Sequence, residues 1–247
     1  MKKVLLPTCL ILSLILLTGQ EAQAQNSTMD DVHLFQSFFR DAPITNTGYG
    51  EALFDFSNFA IFNQLTVAAQ GGYGITPEIE IGTGIYYRNL DFDEFGSVSG
   101  IADIPVFGRY NFMNEETKLS GGAYITLPAG DDVIGEGQLD FGIFGAVRHP
   151  ASEEIVLTGT LGIDFRETVI DDREASIYLG AGVIYAATEQ LSVIGELTIQ
   201  SDVDYSALSG GVDYVIGNIG RLRANLLLGV DDSAPDYGLS AGFLIAF

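Results

Sequence analysis

The sequence predicts an all-β fold, a transmembrane antiparallel up-and-down β-barrel of about twelve strands, with ten strands as the alternative count. Three observations predict it. Apolar residues alternate with small or polar residues along most of the chain after Tyr49, which is the period of a β-strand. No stretch after Ala24 approaches the roughly 20 apolar residues that a membrane-spanning helix needs. The mean hydropathy is +0.26 although the formal net charge is -22, so charged and apolar side chains must lie on different faces.

The last segment shows the alternation most clearly. Its apolar stripe consists of Tyr237, Leu239, Ala241, Phe243, Ile245 and Phe247. Alternation alone does not separate a barrel in lipid from a soluble secreted sandwich, which remains an alternative. The segments are, however, about 9 to 12 residues long, which suits a tilted strand that crosses a bilayer and exceeds the usual length of about 5 or 6. Aromatic residues near segment ends, such as Tyr86, Tyr87 and Tyr110, are typical of interfacial girdles.

The first 24 residues predict a secretory signal peptide. Lys2 and Lys3 precede an apolar run from Val4 to Leu17, and Ala22-Gln23-Ala24 follows as a cleavage site. A transmembrane helix is the alternative, but the run is too short for one. The single cysteine, Cys9, lies inside the run, so the chain after cleavage can form neither a disulfide nor a cysteine-ligated metal site.

The breaks between segments predict the topology and the domain limits. With the C-terminus on the periplasmic side, tight turns alternate with longer outer loops, and residues 48–247 form the barrel. The predicted outer loops are Asn89–Ser99, Pro128–Glu136, Glu167–Glu174, Ser201–Asp204 and Asp231–Asp236. The first hairpin is the least regular, because Ser57-Asn58 would have to form a very tight outer turn. Residues 25–47 do not alternate, and we expect either a periplasmic N-terminal segment or a luminal plug there.

Acidic residues concentrate in the predicted outer loops, and the sequence predicts an acidic outer mouth. Its main members are Asp91, Asp93, Asp131, Asp132, Asp171, Asp172, Asp231 and Asp232. A ring of acids favours cations and neutral solutes over anions. Alternatively, these acids solvate the surface or bind lipopolysaccharide through divalent cations. The acidic charge argues against nucleic acid as a partner; the sequence predicts no cofactor and no metal site, and it leaves the oligomeric state open.

A second group of charges lies in the phase opposite to the apolar stripes, and we expect it inside the barrel. The predicted luminal charged network consists of Glu80, Asp103, Arg109, Glu196, Asp213 and Arg223. A charge on the lipid face at mid-depth would cost about 2–4 kcal/mol, which supports this orientation. Counting from the turns places Glu80 near Arg109 and Asp213 near Arg223. Such pairs serve either as structural ladders or as a solute site.

Four motifs, in order along the chain, resemble the outer-membrane β-barrel family named after the phenol meta-degradation pathway. They are Gly74-Ile75-Thr76-Pro77-Glu78-Ile79-Glu80-Ile81-Gly82, Ser99-Gly100-Ile101-Ala102-Asp103-Ile104, Leu127-Pro128-Ala129-Gly130-Asp131 and Asp231-Asp232-Ser233-Ala234-Pro235-Asp236-Tyr237. Ala102 and Ala129 depart from the glycine and threonine usual in that family. The resemblance covers about Leu65 to Phe247, and it implies a channel that passes hydrophobic or aromatic compounds. It implies no catalytic residue.

Taken together, the sequence predicts a bacterial outer-membrane channel for passive passage of small solutes. A non-conducting barrel for adhesion or envelope structure is the alternative, because acidic loops and a filled lumen suit both. A barrel enzyme is a further alternative, but such enzymes commonly use a histidine as base. The two histidines, His33 and His149, fall in the N-terminal segment and in a periplasmic turn, away from the outer loops.

Overall fold

A computed structural model describes residues 29–45, 47–92, 96–135, 137–167, 173–201 and 204–247. Met29–Asp31 forms one turn of 3-10 helix, and antiparallel strands account for most of the rest. The strands are β1 (Gly48–Asn58), β2 (Phe62–Gly74), β3 (Ile79–Phe92), β4 (Gly96–Ile101), β5 (Ile104–Asn114), β6 (Lys118–Leu127), β7 (Asp140–Pro150), β8 (Ile155–Arg166), β9 (Glu174–Ala186), β10 (Leu191–Gln200), β11 (Tyr205–Ile216), β12 (Gly220–Gly229) and β13 (Tyr237–Ala246). None of the described residues forms a helix long and apolar enough to span a membrane.

The strands close into a single barrel. Apart from β4 and β5, which both pair with β3, each strand pairs with its neighbour in sequence order. β1 pairs with β13 from Tyr49 opposite Ala246 to Asn58 opposite Tyr237. β4 and β5 both lie beside β3. β4 pairs with the second half of β3, from Tyr87 to Phe92, and β5 pairs with the first half, from Ile79 to Thr83. They therefore occupy one position in the ring, interrupted at Ala102 and Asp103. The predicted twelve-stranded antiparallel barrel is confirmed, and the ten-stranded alternative is wrong.

The two faces of each strand differ as the alternation predicts. On β8, Leu157 and Leu161 are 49% and 60% exposed, whereas Thr160 and Asp164 are 5% and 1% exposed. The exposed apolar positions form the outer surface, which suits lipid, and the buried polar positions face inward. Tyr86 is an exception to the predicted girdle, because it faces inward and its hydroxyl donates to Gln70 Oε1 at 2.8 Å.

Two boundaries differ from the sequence-based expectation, both at the outer rim. The expected loop Asn89–Ser99 is mostly strand, since β3 and β4 pair from Tyr87 opposite Ile101 to Phe92 opposite Gly96. The first hairpin turns at residues 59–61 and not at Ser57-Asn58. There the rings of Phe59 and Phe62 stack at 4.5 Å, and the Phe59 N–H donates to the Phe62 carbonyl at 2.9 Å. Local aromatic packing thus extends the strand beyond the polar pair.

Candidate functional site inside the barrel

Residues 29–45, here called the luminal segment, run inside the barrel. Side chains of the segment or its backbone contact inward-facing side chains on every strand from β5 to β12. On the remaining side, the ring of His33 lies 4.3 Å from the ring of Tyr49 on β1. A stretch of chain that meets the wall on all these sides can lie only within the ring.

Apolar side chains of the luminal segment are buried against the end of the wall where the short turns lie. Val32 and Leu34 are 1% and 2% exposed and pack with Val156, Ile184 and Ile194. These wall residues belong to the ends of β8, β9 and β10 next to the short turns at residues 151–154 and 187–190. Burial of such side chains stabilises the docked segment by roughly 1.5–3 kcal/mol each.

Aromatic rings continue this packing on the opposite side of the lumen. Phe38 packs edge-on against Phe39 with ring centres 4.8 Å apart, and Phe39 stacks on Phe107 of β5 at 4.7 Å. Phe107 stacks in turn on Tyr124 of β6 at 5.3 Å. The segment and the wall therefore share one run of rings, in offset geometries that favour aromatic pairs.

Glu196 on β10 receives the backbone of the luminal segment. Its carboxylate accepts the N–H of Phe35 at 2.6 Å, of Gln36 at 3.2 Å and of Ser37 at 3.3 Å. Successive N–H groups that point to one place form a binding site for an anion. Glu196 is 5% exposed. The three bonds therefore compensate for the hydration that the carboxylate loses when it is buried.

Arg148 on β7 holds the other end of the segment. Its guanidinium forms a two-pronged ion pair with Asp41, in which Nε donates to Oδ1 at 2.9 Å and Nη2 donates to Oδ2. It also donates to the carbonyl groups of Met29 at 2.8 Å and Val32 at 2.6 Å. Both members of the ion pair are 3% exposed, and planar bidentate pairs of this kind fix orientation as well as contributing energy.

Arg223 on β12 joins the segment to a network in the wall. It donates to Glu51 Oε1 at 2.6 Å and to the carbonyl group of Leu34 at 3.2 Å. Its Nε lies 3.3 Å from Asp213 Oδ2, and Arg221 donates to Asp213 Oδ1 at 2.6 Å. A buried charge of either sign here has a partner of the opposite sign, which offsets its desolvation.

Arg40 reaches wall residues near the ends of β8 and β9 that adjoin the longer loops. It donates to Asp164 Oδ2 at 3.0 Å, and its guanidinium carbon lies 4.3 Å from the ring centre of Tyr178 and 4.8 Å from that of Tyr124. The Thr160 hydroxyl donates to the Arg40 carbonyl at 2.7 Å. Cation-π contacts and an ion pair thus hold this side chain between three strands.

The ring of His33, within the segment, lies between the rings of Phe38 and Tyr49, at 4.8 Å and 4.3 Å. Burial lowers the pKa of His33 well below its usual value, and the cationic side chains of Arg223, Arg109, Arg148 and Arg221 lower it further. The segment therefore docks with a neutral imidazole. His149 lies apart from it, in contact with the Thr117 hydroxyl at 2.8 Å.

The structure brings most of the predicted luminal residues into this site. Glu80 and Arg109 stand directly opposite each other on β3 and β5, and Arg109 Nη2 lies 2.7 Å from Glu80 Oε1. Asp213 and Arg223 are likewise directly paired on β11 and β12. Asp103 lies elsewhere. It sits between β4 and β5, and its carboxylate accepts the N–H of Gly130 at 2.9 Å and of Gly137 at 3.1 Å.

The predicted acidic mouth is only partly described by the structure. Asp93, Asp171 and Asp172 lie outside the described residues. The members that the structure describes are exposed at the outer rim: Asp91, Asp131, Asp132, Asp231 and Asp232. Asp91 belongs to β3 and not to a loop. Asp131 also has a local role, because its Oδ2 accepts the N–H of Ile101 at 2.6 Å.

Sequence reasoning missed several residues that hold the segment, above all Asp41, Arg148 and Glu51. Arg148 could have been found, since it alternates in phase with the inward side of β7. Glu51 was harder to find, because small residues on β1 obscure which face meets lipid. Nothing in the sequence around Asp41 shows that its carboxylate meets a strand 107 residues later.

No protein-family model matches this sequence, and a search of curated proteins finds no relative. Solved structures with a similar fold are outer-membrane barrels. The COG4313 outer membrane channel from Pseudomonas putida F1 has a TM-score of 0.69 at 13% identity, over 84% of this chain and 98% of that one. The KdgM porin has a TM-score of 0.58 at 9% identity, over 81% and 99%. The NanC porin has a TM-score of 0.56 at 8% identity, over 80% and 98%. At these identities the likeness concerns the fold.

Proposed function

We propose that this chain is an outer-membrane channel for passive passage of small solutes, which its luminal segment closes until the segment is displaced. One observation carries the proposal: a separate stretch of chain, and not the wall itself, fills the space inside the barrel. A barrel of about eight strands is just filled by its own inward side chains. The wider ring here leaves room, and residues 29–45 take it.

The wall residues that face the segment include glycines without side chains, and this supports a removable closure. A Cβ atom added to Gly82 would lie 2.6 Å from a ring carbon of Phe39, and one added to Gly211 would clash with the ring of Phe35. Larger wall residues at these positions would fill the lumen without any segment. Because the wall has no side chains at these two positions, displacement of the segment leaves an open passage through the barrel.

The bonds that dock the segment are of a kind that water can replace. Glu196, Arg148 and Arg223 contribute hydrogen bonds and ion pairs, whose net worth in water is far smaller than their strength in isolation. A segment held by such bonds can leave and return. The similar folds of proteins named as an outer membrane channel and as porins support the same function.

The outer mouth supports hydrophobic or aromatic compounds as the solute class. The rings of Phe62 and Phe92 lie 5.3 Å apart, next to the stacked ring of Phe59. Beside them is a cavity of about 310 Å³ lined by Leu90, Phe92, Gly96, Val98 and Val133. Apolar groups that stay clustered in water mark a site for an apolar ligand, and the family resemblance implies the same class.

The exposed acids suit contact with the outer leaflet. Asp132, Asp231 and Asp232 are exposed on the outer loops, where divalent cations can bridge carboxylates to the phosphates of lipopolysaccharide. We place the protein in the bacterial outer membrane on this ground and on the apolar band around the barrel.

A non-conducting structural barrel is the second candidate, and the burial of the docking ion pair favours it. Arg148 and Asp41 are each 3% exposed, so opening must expose both charges. A segment that never leaves would make the molecule a filled barrel with an acidic outer surface.

Single-channel conductance of the refolded protein in planar bilayers separates the two candidates. We expect the wild type to open rarely and Glu196→Gln to open often, because the substitution removes the charge that three backbone N–H groups bind. Glu189→Gln, in an exposed periplasmic turn, is the matched control and should behave as the wild type. If both the wild type and Glu196→Gln stay silent while they migrate as folded, heat-modifiable barrels, the structural candidate stands.

A further inference from the structure

Four wall side chains form a donor cradle around residues 41 and 42 of the luminal segment. The cradle consists of Arg109, Asn111, Ser120 and Arg148, on the neighbouring strands β5, β6 and β7. Arg109 donates to the Asp41 carbonyl at 2.7 Å, and Asn111 and Ser120 both donate to the Ala42 carbonyl. Arg148 takes the Asp41 carboxylate.

The cradle presents donors to oxygen acceptors, and its Arg148 binds a carboxylate. All four side chains are at most 6% exposed, and each presents N–H or O–H groups to oxygen atoms of the segment. Arg109 has Glu80 as a partner in the wall. Among the described residues, the hydrogen-bond acceptors of Arg148 all belong to the luminal segment. When the segment leaves, the guanidinium faces the lumen and no longer contacts the Asp41 carboxylate.

An aromatic shelf adjoins the cradle. Phe107 precedes Arg109 on the same face of β5 and stands opposite Gly82 on β3. The ring of Phe39 stacks on Phe107 at 4.7 Å and fills the space that Gly82 leaves. Phe107 lies two residues from Arg109, the nearest member of the cradle on β5, which is about 7 Å at the usual rise of a strand. Arg148 lies two strands away, on β7.

We infer that the shelf and the cradle together are a binding site for an aromatic carboxylate, and that Phe39 and Asp41 occupy it as an internal mimic of that solute. The inference rests on the proposed function, because the solute must enter the lumen to compete. A ring on Phe107 and a carboxylate on Arg148 would satisfy the groups that the segment satisfies now. Occupation by the solute then favours the open channel, since segment and solute exclude each other.

The spacing selects the probe. The ring of Phe39 and the carboxylate of Asp41 belong to residues two apart in the segment, and they bind different strands, β5 and β7. The probe therefore needs a flexible spacer between ring and carboxylate, so 3-phenylpropionate fits better than benzoate. Two analogues separate the contributions: 3-phenylpropionamide keeps the ring and lacks the charge, and propionate keeps the charge and lacks the ring.

The acidic outer mouth opposes an anion, but only weakly at the depth of the cradle. The described mouth acids lie on the outer rim, whereas Ser120 and Arg148 lie two residues from the periplasmic ends of β6 and β7. Exposed charges are screened beyond about 8 Å at physiological ionic strength. The mouth should therefore slow the approach of the anion at low salt and leave its binding to Arg148 little changed.

Calorimetric titration of the refolded protein with 3-phenylpropionate tests the inference. We expect Asp41→Asn to lower the apparent Kd by about tenfold or more, because the site is then vacant in a larger fraction of molecules. Arg148→Gln should abolish binding. Asp30→Asn is the control, since Asp30 pairs with Lys118 at the edge of the segment and is 46% exposed. The amide and propionate should bind much more weakly than 3-phenylpropionate to the same variant.

The outcomes separate this inference from the proposed function. Tighter binding to Asp41→Asn, lost in Arg148→Gln, supports the site even if no variant conducts, and in that case the channel is overturned and the site is not. Conductance in Asp41→Asn without binding of 3-phenylpropionate overturns the site and leaves the channel standing. Equal binding by the wild type, Asp41→Asn and Arg148→Gln also overturns it, and heat-modifiable migration verifies that each variant is folded.

Discussion

Replacement of Asp41 by asparagine should open the barrel. The substitution keeps the shape of the side chain and one acceptor oxygen, but it removes the charge that Arg148 binds through Nε and Nη2. Both side chains are 3% exposed, so the guanidinium is left as a buried charge whenever the segment is docked. Undocking relieves this cost, because water can then reach Arg148.

The magnitude follows from the burial of the pair. Loss of one partner from a buried ion pair costs about 3–5 kcal/mol. The lower end applies here, since Arg148 keeps the carbonyl groups of Met29 at 2.8 Å and Val32 at 2.6 Å. A cost of about 3 kcal/mol shifts the equilibrium between docked and undocked segment by a factor of about 100 to 200.

Two assays measure the shift. Open probability in planar bilayers reports conduction, and labelling by a membrane-impermeant maleimide reports exposure of the segment. For labelling, Ser37→Cys is introduced together with Cys9→Ser, which removes the single native cysteine. Ser37 is 3% exposed in the docked segment, so its labelling rate should follow the undocked fraction.

Controls define what would refute the reasoning. Asp30→Asn removes a half-exposed ion pair with Lys118 and should change the rate little, because exposed pairs contribute about 0–1 kcal/mol. The double variant Asp41→Asn with Arg148→Gln should recover part of the docking, since the unpaired charge is gone. Equal labelling of wild type and Asp41→Asn would show that the ion pair does not hold the segment.

Three further predictions concern pH, packing and lipid. The depressed pKa of His33 implies that docking is fully stable above about pH 6.5, the ordinary histidine value, and weakens as pH falls below it. The open probability should therefore rise as the pH falls below about 6.5. The same pH profile in His33→Phe would exclude the imidazole as the cause. Gly82→Ala should speed labelling of the segment because its Cβ meets the Phe39 ring, whereas Gly108→Ala, with no atom within 4 Å of its Cβ, should not. Leu161→Arg, at a position 60% exposed on the outer face, should lower the free energy of unfolding from liposomes by about 2–4 kcal/mol, and a value near zero would contradict the assigned orientation.

The barrel could be predicted because each strand repeats the same alternation of apolar and polar residues. The predictions that were wrong concern residues where this alternation ends. Glu80 and Arg109 share a height because antiparallel register follows from the turn between them and the lengths of their strands. At Asn89 to Ser99 the polar composition is that of a loop, yet backbone pairing of β3 with β4 extends above the rim. Asp103 lies in the phase of a luminal residue, but the strand breaks there and the side chain turns to the N–H groups of Gly130 and Gly137.

The path of the luminal segment was beyond prediction for a different reason. Its side chains show no period, because each one meets a different strand of the wall. Asp41 binds Arg148, and Phe35 binds Glu196; such partners are chosen by the closed barrel and not by neighbours in sequence. The sequence therefore fits both a periplasmic N-terminal segment and a luminal plug, and only the closed barrel defines the pocket that the segment occupies.

The position of the segment in the chain has a consequence for biogenesis. Residues 29–45 are translated before any strand, yet Phe35 binds a carboxylate 161 residues later, and Leu34 accepts a bond from a side chain 189 residues later. Its docking site is complete only when β12 has joined the wall, and contacts of such long range form late. A segment that precedes all the described strands in the chain is thus the last to reach its place, and its docking marks a barrel whose wall is complete.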